Sequence, residues 1–292
     1  MKAAQAVRSV PMMTVFVGAT ILAACGGGYG SSSGGGSMSC GYNGCPPPPP
    51  VTTTTAGTMT AAQLFPTPVT TASGSGSITV DTTSGALSGS VTLANVTPTS
   101  VELADAYAGA QGALVVTLTM DATNANRWNI PSGAMLTAQQ RTDLAAGKLY
   151  TLARTAANPG GELRGQLLPT GITVRFAALT GASEVPPVVS AASGQIAVTV
   201  DAAGLSAAAN INVTGLTATG AELASGAAGT VGVQLATLVV DAADPNHYFN
   251  DAITLTSADL TNFTTDLWYG NVFSVANPGG ELRGQLTASV AP

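Results

Sequence analysis

The sequence predicts an all-β protein built from two tandem antiparallel Greek-key-like β-sandwich domains, each with one short helix. Three observations carry this reading: a repeat of domain size, strand-period patterning inside each copy, and a composition with very few charges. The repeat shows first in Val69-Thr-Thr-Ala-Ser-Gly74 and Val189-Ser-Ala-Ala-Ser-Gly194, which lie 120 residues apart. Ile78-Thr-Val-Asp81 and Val198-Thr-Val-Asp201 share that offset, as do Glu102-Leu103-Ala104 and Glu222-Leu223-Ala224, and Asp121-Ala122 and Asp241-Ala242. After a one-residue slip, Asn158-Pro-Gly-Gly-Glu-Leu-Arg-Gly-Gln-Leu167 returns unchanged as Asn277–Leu286. Solenoid units run about 20–50 residues, whereas a period near 120 is the size of a whole domain. Charged residues make up 8% of the chain, and small side chains dominate, as in a β-rich exported protein.

The elements follow in chain order. Lys2 and Arg8 precede an uncharged run from Val10 to Ala24, the n-region and h-region of a secretory signal. The run is shorter than the roughly 20 apolar residues a spanning helix needs, and Pro11 lies near its start. It ends in Leu22-Ala23-Ala24-Cys25, which resembles the bacterial lipobox. That resemblance implies cleavage after residue 24 and lipid attachment at Cys25. One acyl chain anchors only marginally, and the three chains of a bacterial lipoprotein would anchor stably. Residue 26 is Gly and not Asp, which by the Gram-negative sorting rule points to the outer membrane.

Residues 25–55 read as a tether. Gly26–Ser39 is a Gly/Ser run, a flexible coil; Pro46–Pro50 is a stiff polyproline spacer; Val51–Thr55 is a threonine tract. Cys40 and Cys45 lie within it, in Cys-Gly-Tyr-Asn-Gly-Cys. In an oxidising compartment they could close a small disulfide loop. Free thiols and half of a tetrahedral metal shell are the alternatives.

The first domain is expected over residues 56–168 and the second over 172–287. Ile78-Thr-Val, Ser90-Val-Thr-Leu, Ala113-Leu-Val-Val-Thr-Leu, Ile196-Ala-Val-Thr-Val and Ile211-Asn-Val alternate or run β-branched, the signature of strands. Turn-forming clusters separate them at the spacing of a sandwich or barrel. Thr137 and Thr256 each precede a short helix-forming stretch as N-caps, and Gly147 is a plausible helix stop. The opening strand of copy two, Ile172–Leu179, has only Thr52–Met59 as counterpart, so copy one is expected to lack or replace it.

The repeated motif supplies the candidate site residues: Asn158, Pro159, Gly160, Gly161, Glu162, Arg164 and Gly165, then Asn277, Pro278, Gly279, Gly280, Glu281, Arg283 and Gly284. Pro-Gly-Gly forms a tight turn, Pro fixing φ and Gly supplying positive φ. Glu-Leu-Arg-Gly-Gln-Leu reads as a closing strand. In a strand, Glu162 and Arg164 share a face, as do Glu281 and Arg283. Each pair can bond internally or hold the backbone of a neighbouring loop, and loop fixing is the favoured role.

These residues resemble the CHRD family, named from chordin. Copy two adds a matching opening, Phe176-Ala-Ala-Leu-Thr-Gly-Ala-Ser-Glu-Val-Pro-Pro-Val188, and copy one keeps Pro66-Thr-Pro-Val69. The family domain carries Ala-His-Ile-His and Asn-Val-His-Thr stretches, whose three histidines would suit a transition metal. Here those positions hold Glu102, Ala104 and Arg154 in copy one, and Glu222, Ala224 and Phe273 in copy two. The replacement argues against a shared metal site. A Glu102–Arg154 salt bridge is the expected substitute in copy one, while Glu222 needs another partner.

His247 is the sole histidine and reads as a surface loop residue. No phosphate loop, Cys/His dyad or dinucleotide fingerprint is present, and Gly-x-Ser-x-Gly occurs only within the Gly/Ser run, not as a strand-to-helix elbow, so no catalytic, cofactor or metal residue is expected. Loss of Lys2 and Arg8 leaves 7 basic against 15 acidic residues, a mature charge of −8, which disfavours nucleic acid as a partner. The sequence therefore reads as a non-catalytic, lipid-anchored envelope protein with a protein or glycan partner. Two alternatives stand beside it. One is a surface adhesin or carbohydrate binder using Trp268 or Tyr269 as exposed aromatics; the other is a carboxylate metal protein using Glu102, Asp105 or Glu222.

Overall fold

β-branched stretches become strands in both copies, and the offset of the repeat is the offset of the elements. The computed structural model describes residues 52–288; the leader, Cys25 and the Cys40/Cys45 pair lie outside the described residues. Copy one comprises β1 (Thr52–Met59), β2 (Ser73–Asp81), β3 (Leu87–Ala94), β4 (Ser100–Asp105), β5 (Ala113–Thr117), β6 (Thr119–Met120), β7 (Arg127–Asn129), α1 (Ala138–Ala145), β8 (Leu149–Arg154) and β9 (Leu163–Gln166). Copy two comprises β10 (Ile172–Leu179), β11 (Ser193–Asp201), β12 (Ser206–Thr214), β13 (Ala218–Ser225), β14 (Val233–Val240), β15 (His247–Thr254), α2 (Ser257–Thr264), β16 (Trp268–Ser274) and β17 (Leu282–Gln285).

Copy one forms two antiparallel sheets, ordered β1-β2-β3-β7-β6 and β5-β4-β8-β9. Copy two runs as one ladder, β10-β11-β12-β15-β14-β13-β16-β17. The difference lies in one strand. β14 pairs with β13 along Ser225↔Val233 to Ala221↔Leu238, then with β15 at Val239↔Phe249 and Val240↔Tyr248, so it passes from one sheet to the other. In copy one the same stretch breaks at buried Leu118, whose amide donates to the Val101 carbonyl at 2.9 Å. Strands β13, β14 and β15 are consecutive hairpin partners and β12 lies beside β15, which is the Greek-key arrangement.

Copy one does have its opening strand. β1 pairs with β2 from Thr52↔Asp81 to Met59↔Gly74, as β10 pairs with β11 from Ile172↔Asp201 to Leu179↔Gly194. The expectation that copy one lacks or replaces this strand is corrected, and ordered structure reaches back to Thr52, inside the stretch read as tether. A threonine run carries no apolar alternation, and its partner strand supplies the order. Both helices begin at the expected caps: Thr137 and Thr256 each accept from the amide three residues on, and Gln140 and Asp259 complete capping boxes.

Each copy has its own core. Met59, Ile78, Val91, Leu103, Leu149 and Leu163 are among the buried residues of the first. Ile196, Val198, Ile211, Leu223, Trp268 and Val272 are among those of the second. Burying each such side chain contributes roughly 1.5–3 kcal/mol.

Strand β2 alternates, with Ile78 and Val80 inside and Ser75 and Ser77 outside. Strand β11 does not: Ala197 and Thr199 are buried along with Ile196, Val198 and Val200. Copy one covers the outer face of β11 and β12. Gly109 sits so close that a Cβ there would stand 2.9 Å from the Cβ atoms of Ala197 and Asn210. Asn212 Nδ2 donates to the Gly109 carbonyl at 2.7 Å, and Gln195 Nε2 donates to the Ala62 carbonyl at 2.9 Å.

Because the two cores share no residue, damage to one should stay there. Trp268→Ala is expected to destabilise copy two by about 3–5 kcal/mol and to split thermal unfolding into two transitions. A single transition displaced as a whole would show that the copies unfold as one unit.

Candidate functional site

The duplicated motif builds the same device twice. In each Pro-Gly-Gly turn the second glycine takes positive φ, +141° at Gly161 and +139° at Gly280, a conformation that favours glycine. The turn places Glu162 just before β9, where its carboxylate accepts from Thr155 Oγ1 at 2.9 Å and from Asn158 Nδ2. Glu281 accepts from Asn277 Nδ2 at 3.0 Å, from Ser190 Oγ at 2.7 Å and from Ser274 Oγ. A further hydrogen bond from Thr70 reaches Glu162, and hydrogen bonding holds both carboxyls below the usual range, chiefly through Thr70 at Glu162 and Ser274 at Glu281.

The arginines turn elsewhere. Arg164 is 3% exposed, and its guanidinium lies 3.6 Å from the centre of the Tyr150 ring. It donates to the carbonyls of Ala110 and Tyr107 and, at 2.9 Å, to Gln166 Oε1. Gln166 Nε2 donates to the Ala106 and Gly147 carbonyls, and Tyr150 Oη accepts the Gly112 amide at 3.0 Å. Three side chains thus fasten the loop between β4 and β5. Burial pushes the Arg164 guanidinium down to about 10, which still leaves it protonated at neutral pH. In copy two, Arg283 lies 3.5 Å from the Tyr269 ring centre and donates to the Thr230 and Ala227 carbonyls. Gln285 reaches the Gly226 and Asp266 carbonyls, and Tyr269 Oη accepts the Gly232 amide.

Glu162 does not pair with Arg164, nor Glu281 with Arg283, among the ion pairs of the described residues. Strand alternation does not apply, because each Glu precedes the strand that holds its Arg. Gly165 and Gly284 are constrained by close approach: a Cβ would stand 2.9 Å from the Thr58 carbonyl in one and 2.3 Å from the Ala178 carbonyl in the other. The roles of Tyr150, Tyr269, Gln166 and Gln285 were missed in the sequence, although all four obey the repeat offset.

Of the three positions where the resemblance implies histidines, Glu102/Glu222 and Ala104/Ala224 are the same in both copies and Arg154/Phe273 differ. Arg154 Nε bonds both Glu102 oxygens, at 3.3 and 3.1 Å, and Arg154 Nη1 donates to the Pro159 carbonyl; this is the salt bridge expected in copy one. In copy two, Glu222 lies across from Asn271, whose side chain it hydrogen-bonds, and Phe273 lies across from Gly220. Burial pushes the Glu222 carboxyl up. Glu184, from the opening motif, is 6% exposed, and burial pushes its carboxyl up as well.

The three carboxylates considered for a metal do not meet. Glu102 is paired with Arg154, Asp105 lies by Asp143 and Lys148, and Glu222 belongs to the other copy. Among the described residues no three His, Cys, Asp or Glu side chains gather as a metal-ligand set.

Two further readings are corrected. His247 is 9% exposed and opens β15, its ring nitrogens 3.1 Å from Asp241 Oδ2 and 2.9 Å from Asn210 Oδ1. It is a buried structural side chain, because the turn at Asp244–Asn246 ends one residue before it and the strand carries it inward. Trp268 and Tyr269 are 0% and 2% exposed. Trp268 packs on Phe263 at 5.0 Å and Tyr269 supports Arg283, so neither is a surface platform for a sugar.

The fold and the repeated clamp define a tandem β-sandwich protein in which each domain closes on an Asn-Pro-Gly-Gly-Glu-Leu-Arg-Gly-Gln strand. The family model of the CHRD domain matches residues 48–167 and 175–286. The chain belongs to the CHRD family, with two copies of its domain. No curated protein and no solved structure matches it.

Two outcomes follow. The depressed Glu162 and Glu281 carboxyls stabilise the fold above the ordinary glutamate range, about pH 4–5, and that contribution is lost as pH falls through their lower folded-state values. Acid unfolding should therefore steepen below about pH 4.5, and Glu281→Gln should flatten the profile while lowering stability at pH 7. Arg164→Lys, which loses the planar fork and the stacking on Tyr150, should cost about 2–3 kcal/mol and speed amide exchange across residues 106–112.

Proposed function

We propose that this protein is a lipid-anchored, non-catalytic component of the cell envelope whose two CHRD domains serve as a structural or interaction module. The observation that carries the reading is the placement of Cys25 at the end of an apolar leader and ahead of a Gly/Ser/Pro tether. Such a tether holds a folded unit away from the surface to which its cysteine is attached.

The geometry of the motif supports the non-catalytic part. A catalytic acid or base has to reach a substrate. The repeated Glu and Arg side chains instead spend their hydrogen bonds on nearby turn side chains and loop carbonyls. The family's histidine positions hold Glu102, Ala104, Arg154, Glu222, Ala224 and Phe273. The mature charge of −8 favours a protein partner over nucleic acid. The glycan alternative lost its two named aromatics to the core, and no other observation favours it.

Metabolic labelling with a palmitate analogue tests the anchor. The wild-type chain should incorporate label, and Cys25→Ser should abolish it and accumulate uncleaved precursor. Labelling that persists in Cys25→Ser, or wild-type chain that takes up none, overturns the proposal.

A further inference from the structure

In copy two buried acceptor oxygens outnumber the donors that reach them, the Val185 amide at Glu184 and the Asn271 side-chain amide at Glu222. Glu184 and Asn271 are each 6% exposed, and Glu184 Oε1 and Asn271 Oδ1 have no hydrogen-bond partner. A Cβ placed on Gly280 would lie 2.6 and 2.7 Å from the two Glu184 oxygens and 2.8 Å from Asn271 Oδ1. Three oxygens therefore form a socket against the α-carbon of Gly280, which has no side chain to part them. Glu222, bonded to Asn271, lies near enough for its charge to repel that of Glu184. Buried acceptors with no proton or cation to satisfy them are unfavourable and rare.

Copy one shows that the fold does not require this arrangement. At the equivalent Gly161 a Cβ would meet Leu152 Cδ1 at 2.9 Å and Leu64 Cδ2 at 3.2 Å. The same backbone socket is apolar there, and its carboxylate, Glu102, is matched by Arg154. In copy two Glu184 and Asn271 replace the two leucines, and Phe273 replaces the arginine. The charged groups around the socket are Glu184, Glu222 and Arg283. Arg283 is committed to the Thr230 and Ala227 carbonyls, as Arg164 is to its own loop in copy one. With both carboxyls ionised, the three groups sum to one negative charge. A groove of about 410 Å³, lined by Ser183, Glu184, Pro187, Gly229, Arg283 and Gln285, opens beside the cluster and gives a way in.

We propose that Glu184, Glu222 and Asn271 form a binding site for one hard divalent cation of calcium's size, present in copy two alone. Calcium takes oxygen ligands at roughly 2.3–2.6 Å in irregular geometry and accepts bidentate carboxylates and amide oxygens together. The set holds no imidazole or thiolate, which a softer transition metal would favour. Glu184 supplies two oxygens, Glu222 and Asn271 supply more, and waters from the groove complete the shell. A bound cation would satisfy both orphaned acceptors and relieve the repulsion between Glu184 and Glu222.

The test uses the full chain, purified in detergent and stripped with EDTA, then titrated calorimetrically with CaCl2 and melted with and without it. The expected result is one Ca2+ per chain and a melting temperature raised by several degrees in Ca2+. Glu184→Gln should weaken binding about tenfold or more, and Glu102→Gln should leave it unchanged. The double variant Glu184→Leu/Asn271→Leu installs the residue pair of copy one, so it should fold and bind no Ca2+. Absence of binding at millimolar Ca2+ overturns the site, as does binding that survives the double variant. Stability that follows pH and ignores Ca2+ also overturns it, since a proton shared between Glu184 and Asn271 would then fill the socket.

Discussion

Each domain rests on a buried guanidinium held by carbonyl oxygens and not by a carboxylate. Arg164 and Arg283 are each 3% exposed, and desolvating an unpaired charge is among the more expensive things a fold can do. It is tolerated because the planar donors meet fixed dipoles: two loop carbonyls, a glutamine oxygen and the face of a tyrosine. The consequence extends beyond the clamp. The loop that Arg164 holds carries Gly109, and Gly109 is where copy one rests on β11 and β12 of copy two. Loosening the arginine would loosen the seam between the domains. In copy two the corresponding loop is fastened in the same way, but Ala227–Thr230 is exposed.

The duplication separates what the frame requires from what each copy has done with it. Turn, clamp, capped helix and core recur at an offset of 119 or 120, so they belong to the frame. The socket under the second glycine of the turn does not recur: Leu64 and Leu152 fill it in one copy, Glu184 and Asn271 in the other. Exchanging two leucines for two buried polar side chains costs stability unless something compensates. The polar pair is confined to one copy, beside a carboxylate that has no arginine across from it. The changes are linked in space, although the residues stand far apart in the chain.

What the sequence made legible was local or repeated. The Thr137 and Thr256 caps, the Pro-Gly-Gly turns and the paired motifs all depend on neighbours a few residues away, so their spacing carries the information. The opening strand β1 was obscure because Thr52–Thr55 shows no alternation, and its order comes from β2, more than 20 residues on. Burial of Trp268, Tyr269 and His247 depends on packing partners from other strands, which single-residue chemistry does not reveal. Glu184 stood in plain view within the opening motif. Its significance needed Asn271 and Gly280, which approach it only when β16 and the closing turn are in place.

The distribution of charge bears on how such a chain could work. With 8% charged residues, few ionisable groups remain once the clamps are built, and those that matter are turned inward. A frame of this kind offers rigidity, set by carbonyl-bound arginines, more readily than it offers reactive groups. The place where the two copies differ in buried charge is then a place where they can differ in function without disturbing the frame. Copy one shows that an apolar socket suffices to fold the domain, so the carboxylates of copy two need an explanation other than folding, and an oxygen-seeking cation supplies one.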